Sequence, residues 1–179
     1  MKSFRRVFLI GFPVLLVIIA IVYVILGGFK EPEIKIAESP GYIILGKRFT
    51  GKLDDRKLKE TYKEAQEKYR DGELNGVFAV MHFHEPNVNT GKVDAAIGVV
   101  VKDSLLEKPE GFNYFTWKKG PVVQATILSH YSVAPSPETI NEVMNKLAES
   151  KGYKVEDGSL ERYLESNHLE VERPLEKIK

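Results

Sequence analysis

Apolar positions are unevenly spread along the chain, and their spacing predicts its elements. Val7 to Phe29 reads VFLIGFPVLLVIIAIVYVILGGF and contains no charged residue. A run of this length matches the ~20 apolar residues a helix needs to cross a hydrocarbon core at 1.5 Å per residue. Pro13 falls near its start, and Tyr23 and Phe29 suit the far interface. The run is apolar all round and too long for a buried core helix. A cleaved signal peptide would have a shorter run and a better site than Ile25-Leu26-Gly27-Gly28. Lys2, Arg5 and Arg6 precede the run, whereas Lys30 and Lys35 mix with Glu31 and Glu33 after it. The positive-inside rule then puts the N-terminus in the cytoplasm. The expectation is a single-pass membrane protein: a transmembrane anchor over residues 1–29, and a periplasmic or extracellular domain over residues 30–179.

Beyond the linker Glu31-Pro32-Glu33, period-two alternation begins. Ile34 and Ile36 flank Lys35, Pro40-Gly41 interrupts, and Tyr42-Ile43-Ile44-Leu45 resumes the extended run to about Thr50-Gly51. The pattern is one strand or two halves about a turn. Asp54 and Asp55 suit a helix start. From there Leu58, Tyr62, Ala65 and Tyr69 recur at helical spacing, with Gly72 as the stop. Val77–His84 and the nearly all-apolar Val93–Val101 read as strands around the turn-rich loop Pro86–Gly91, the second covered on both faces. The order then repeats. Phe112–Lys118 and Val122–Tyr131 are strands. Ser136 and Pro137 open a helix whose stripe is Ile140, Val143, Met144 and Leu147, and Gly152 ends it. Leu160–Glu165 and Leu169–Leu175 close the chain. Strand, helix, strand, strand occurs twice, which points to an internal duplication resting on element order rather than on shared letters.

Composition narrows the classes. The 179 residues carry a net charge of +1 and no basic block, which argues against nucleic acid as a partner. There is no cysteine, so disulfides, thiolate metal sites and cysteine nucleophiles are excluded. No Ser-His-Asp order, Gly-rich phosphate loop or paired-carboxylate spacing is present.

Three stretches carry a resemblance. Ile127-Leu128-Ser129-His130-Tyr131-Ser132 resembles the strand that ends in a His-x-Gly-type turn in GyrI-like small-molecule-binding domains, the effector-binding domains of AraC-type and BmrR-type regulators. Ser132 stands where glycine is usual. Leu160-Glu161-Arg162-Tyr163-Leu164 resembles that family's Glu-x-Tyr strand, and Leu169–Leu175 its closing strand ending in Pro-Leu. The resemblance covers about Glu33 to Glu176. It implies an α+β fold of two βαββ (SHS2-like) repeats, with a concave antiparallel sheet, helices on one face and a ligand in the groove between repeats. Here one transmembrane helix precedes it. No helix-turn-helix segment accompanies the domain, so a one-component transcription regulator is not expected.

Candidate site residues follow. Alternation puts Glu161, Tyr163 and Glu165 on one strand face and Leu160, Arg162 and Leu164 on the other. If the leucines pack on helices, Glu161 and Tyr163 face the groove, where a carboxylate among rings suits a cationic or amphipathic ligand. The resemblance implies the same glutamate. An ordinary solvated strand face has the same alternation. Burial without a fixed cation partner would raise the Glu161 pKa. By the repeat, His82 takes the place of Tyr163 and Val80 that of Glu161. Tyr42, Tyr114 and Trp117, with Phe115, are further candidates for the aromatic wall. His82 and His84 are two apart on one strand, a weak metal signal, and no metal or cofactor is assigned. The expected function is non-catalytic binding of a small molecule by a membrane-tethered domain. The alternatives are hydrolysis of small strained electrophiles, with Glu161 as general base and Tyr163 as positioning donor, and a haem-binding or protein-adaptor domain of the same duplicated fold.

Overall fold

The computed structural model describes residues 2–86, 90–103, 108–130 and 132–178, with side chains described from residue 12 onward. Its elements are α1 (Lys2–Ile25), β1 (Glu33–Ser39), β2 (Tyr42–Lys52), α2 (Arg56–Arg70), β3 (Val77–His82) and β4 (Lys92–Val101). They continue with β5 (Asn113–Trp117), β6 (Gly120–Ile127), α3 (Pro137–Ser150), β7 (Tyr153–Val155), β8 (Ser159–Glu165) and β9 (His168–Lys177). The architecture is α+β, with a large antiparallel sheet and three helices among the described residues. Tyr131, part of one quoted motif, lies outside the described residues, as do 87–89 of the expected turn-rich loop and the side chains of Lys2, Arg5 and Arg6.

The expected transmembrane helix is corrected. Among the described residues no helix is long and apolar enough to cross a membrane. The expected helical run to Phe29 stops at Ile25, because Gly27 turns the chain at φ 79°. Leu26 then accepts a 2.9 Å hydrogen bond from the His130 amide. The single-pass localisation, with a cytoplasmic N-terminus and an external domain, rested on that span and is overturned with it.

The sheet order is β1-β6-β9-β8-β3-β4-β2-β5, with β7 paired to β9. Pro40-Gly41 bends β1 into β2, and Lys118-Lys119 bends β5 into β6. One antiparallel register passes through both bends: Ile36 pairs with Val123, and Ile44 with Phe115. At Gly41 (φ 79°) a Cβ would lie 3.1 Å from the Lys119 nitrogen, so the bends pack on each other there. Because each bend joins one end of the strand order to the other, the sheet rolls up. Trp117 of β5 reaches Glu172 of β9 across the roll. Each half thus has two strands ahead of its helix, as expected in the second half, whereas in the first a bent single strand was also open; the three-residue β7 is too short to show periodicity.

Caps set both domain helices. The Asp55 carboxylate accepts from the Lys57 amide at 2.9 Å, and the Ser136 hydroxyl accepts from the Thr139 amide at 3.3 Å. α2 buries Ala65 and Thr61, with Leu58 and Tyr62 partly covered; α3 buries Ile140, Met144 and Ala148. Val143, expected in the α3 stripe, is exposed. α2 packs on β2 and β4, and α3 on β1, β6 and β7. Phe78, Tyr163 and Leu169 pair in one cross-strand row and therefore share a face. Phe78 belongs to the α2 core and Leu169 to the α3 core, so both helices lie on that face. The strands β3, β8 and β9 run between them as the floor of a groove. The opposite face, inside the roll, is lined by Ile44, Ala79, Met81, Ala96, Trp117 and Leu160.

One ion pair yields a pH prediction. Arg48 forks onto Asp94 at 2.8 and 2.7 Å, and the Thr50 hydroxyl donates to the same carboxylate at 2.9 Å. The Arg48 hydrogen bond leads in holding the Asp94 carboxyl below its ordinary value, against partial burial. A lowered folded-state pKa adds stability above the unfolded pKa and loses it as pH falls through the folded one. Arg48 is half exposed, so the pair contributes only about 0.5–1 kcal/mol. Arg48→Ala should lower the urea midpoint at neutral pH, and its gap to wild type should close as pH falls through the lowered Asp94 pKa, below the ordinary aspartate range. A gap that persists in acid would assign the loss to packing of Arg48 over the Phe83 ring, 4.3 Å away, instead of to charge.

Candidate functional site

Register decides which face of β8 does what. Leu160 pairs with Met81 and packs with Ala79 and Trp117 inside the roll. Glu161 pairs with Val80, and Tyr163 with Phe78, so both lie on the groove floor between the helices. The expected packing of Leu160 against helices is therefore corrected: the helices cover the same face as Glu161 and Tyr163, and the roll covers the leucine.

The groove residues form a chain of contacts. The Tyr163 hydroxyl donates to Glu161 Oε2 at 2.6 Å. His82 Nε2 stands 3.7 Å from Glu161 Oε1, with the carboxylate 27% and the imidazole 13% exposed. The Tyr163 ring meets the edge of Phe78 at 5.9 Å, and Phe78 meets Tyr62 and Tyr69 of α2 at 6.4 and 5.7 Å. Burial pushes the Glu161 carboxyl up, but the interaction with His82 and the Tyr163 hydrogen bond outweigh it and hold the group below its ordinary value. The rise expected of a buried carboxyl without a fixed partner does not apply, because His82 stands beside it. Burial first, then the Glu161 charge, pushes the hydroxyls of Tyr62 and Tyr163 far up, so both rings stay neutral donors.

Inside the roll a second polar cluster surrounds Glu172, which is almost fully buried. Its carboxylate accepts from Arg162 Nη2 at 3.0 Å, Trp117 Nε1 at 3.1 Å and the Tyr42 hydroxyl at 3.4 Å. Arg162 also donates to Glu170 and stacks over the Tyr42 ring at 4.4 Å. Burial, then the Glu172 charge, pushes the Tyr42 hydroxyl up to about 12. Both Glu172 oxygens accept hydrogen bonds, which marks a clamp across the roll. On the α3 side of the floor, buried Arg173 meets Glu85 Oε1 at 3.2 Å and donates to Asn145 at 3.3 Å.

The six candidates thus divide. Glu161, Tyr163 and His82 come together in the groove. Tyr42 and Trp117 come together on the other face, at Glu172. Tyr114 packs in the α2 core, apart from both. Tyr62 was read as helix stripe and joins the groove through Phe78 and the Glu161 charge, which only the tertiary pairing reveals. The histidine pair separates: β3 ends at His82, and His84 Nδ1 meets Asp157 Oδ2 at 2.7 Å. Among the described residues, no group of three or more His, Cys, Asp or Glu is placed to hold a metal. His82 lines a 480 Å³ cavity and Arg173 a 530 Å³ cavity, and Glu161 and Tyr163 line neither.

Comparison with known proteins places this geometry. Residues 32–177 match the family model of the GyrI-like small molecule binding domain. A comparison with curated proteins finds no significant sequence match. Among solved structures, EcmrR in its DNA complex aligns at TM-score 0.59 and 16% identity, over 82% of this chain and 58% of EcmrR. SAV2435 bound to tetraphenylphosphonium aligns at TM-score 0.51 and 13% identity, over 80% of this chain and 94% of that one. A hydrolase from Listeria innocua aligns at TM-score 0.54 and 14% identity, over 82% and 92%. At these identities the likeness is one of fold.

Proposed function

The chain belongs to the family of GyrI-like small-molecule binding domains, and on that premise we propose that it binds a small cationic or amphipathic molecule, without catalysis, in the groove between α2 and α3. The observation that carries this reading is Glu161, a partly exposed carboxylate on the groove floor with Tyr163, Phe78 and Tyr62 beside it. Glu161 supplies charge, and the rings supply area and a face for a cation. Tetraphenylphosphonium, the lipophilic cation bound by SAV2435, is a suitable probe. A general base works best with a pKa near the operating pH. The lowered Glu161 carboxyl does not meet that need, which favours binding over hydrolysis.

Glu161→Gln keeps shape and removes charge. It should weaken tetraphenylphosphonium by about 1–3 kcal/mol and a neutral aromatic of similar size much less. Equilibrium dialysis of both probes against wild type and the variant measures this. Equal losses for both probes, or none for either, would remove Glu161 from the site. Turnover of an epoxide by wild type but not by Glu161→Gln would instead establish the hydrolase reading.

A further inference from the structure

We propose that His82 determines the charge class of ligand the groove accepts, because its imidazolium is a built-in cation that competes with a cationic ligand for Glu161. The proposal rests on the groove reading above and extends it. Glu161 Oε2 is already taken by the Tyr163 hydroxyl at 2.6 Å, whereas Oε1 faces His82 Nε2 at 3.7 Å. An incoming cation must approach this same carboxylate. With His82 protonated, the pair is neutral overall and offers a cation little. With His82 neutral, the floor carries one uncompensated negative charge. Histidine is the side chain whose charge changes between pH 5 and 8.

The ring is held for this role by Glu161 more than by any scaffold. His82 Nδ1 is buried with no hydrogen-bond partner, so the carboxylate is the polar group that orients it. The other charged groups around His82 do not replace Glu161. Opposite it, β8 and β4 present Ser159 and Ala95, which carry no charge. Lys118 and Lys119 of the β5–β6 bend, and Glu156 and Asp157 before β8, line the cavity that His82 borders, two of each sign. Asp157 is committed to His84 and to the amides of Glu85 and Gly158. The nearby phenols of Tyr62 and Tyr163 stay neutral, and Glu85 and Arg173 pair with each other.

The test follows the pH profile of binding by the full-length chain, with tetraphenylphosphonium as the permanent cation and triphenylphosphine oxide as the neutral probe. From pH 8 to 5.5 the wild-type dissociation constant for the phosphonium should rise about tenfold, and that for the neutral probe less than about twofold. His82→Gln, and independently His82→Asn, should flatten the phosphonium profile and restore tight binding at pH 5.5. Glu161→Gln should be weak and flat. If wild type is flat although Glu161→Gln still weakens the phosphonium, this inference fails and the groove reading stands. It also fails if the slope survives in either folded His82 variant. If wild type and Glu161→Gln bind the phosphonium equally at every pH, both readings fail together.

Discussion

Arg162→Met should cost about 3–5 kcal/mol of stability, the range for breaking a buried ion pair by removing one partner. Arg162 lies between Glu170 and Glu172, with all three side chains less than a fifth exposed. Removing it leaves Glu172 in the roll without a cation, and Glu170 with only the His168 imidazole, 3.8 Å away. The Trp117, Tyr42 and Gln124 donors still reach Glu172, at 3.1, 3.4 and 3.5 Å, but they supply hydrogen bonds without net charge. Combining Arg162→Met with Glu172→Gln should recover part of the loss, since glutamine still accepts from Trp117 and removes one charge. Urea denaturation of the three proteins reads the difference as a shift in midpoint at constant slope. Arg162→Met should leave the preference of folded protein for cationic over neutral probes intact, because Arg162 faces the roll and Glu161 the groove. A single-variant loss below about 1 kcal/mol would mean that the roll admits enough water to screen the carboxylates.

How much of this was legible in the sequence depends on the range of the cause. Local causes were visible: the caps at Asp55 and Ser136, the stops at Gly72 and Gly152, and the apolar run that became β4. Its odd positions lie under α2 and its even ones inside the roll, which is why it does not alternate. The pairing of Glu161 with Tyr163 on one face followed from period two alone. The face that the helices cover did not, because alternation defines two sets without saying what lies over either. That choice is made by the roll, through bends at Pro40-Gly41 and Lys118-Lys119 that couple strands distant in the chain. The same long range hid the site's partners. His82 reaches Glu161, and Trp117 reaches Glu172, only once β3, β8 and β9 are in register. Val7–Phe29 was legible as apolar, but where its helix ends depends on Gly27 and on the His130 amide.

Gly98→Ala should cost about 3 kcal/mol or more, the upper end of what one added carbon does in a packed interior. Gly98 on β4 stands opposite Gly46 on β2 and Ala79 on β3, and the row continues to Arg162 on β8. A Cβ at Gly98 would lie 2.0 Å from the Leu45 carbonyl oxygen and 2.6 Å from the Gly46 Cα. Both are backbone atoms, so no side chain can swing aside, and β2 must move against β4. Leu45 and Phe49 hold β2 in place from the other side, buried in the α2 core. The usual gain of roughly 0.5–1 kcal/mol from replacing a strand glycine is therefore reversed in sign. Gly46→Ala is the control: its Cβ would approach the Ile97 carbonyl oxygen at 3.1 Å, which a shift of a few tenths of an ångström relieves, so its cost should be smaller. Urea midpoints of both variants order the two effects. Because β2 also carries Tyr42, whose hydroxyl reaches Glu172, the displacement in Gly98→Ala should alter the surroundings of Trp117 and shift its fluorescence. Equal, small losses in the two variants would show that β2 and β4 can part freely, and the roll would then not be fixed by this row of small residues.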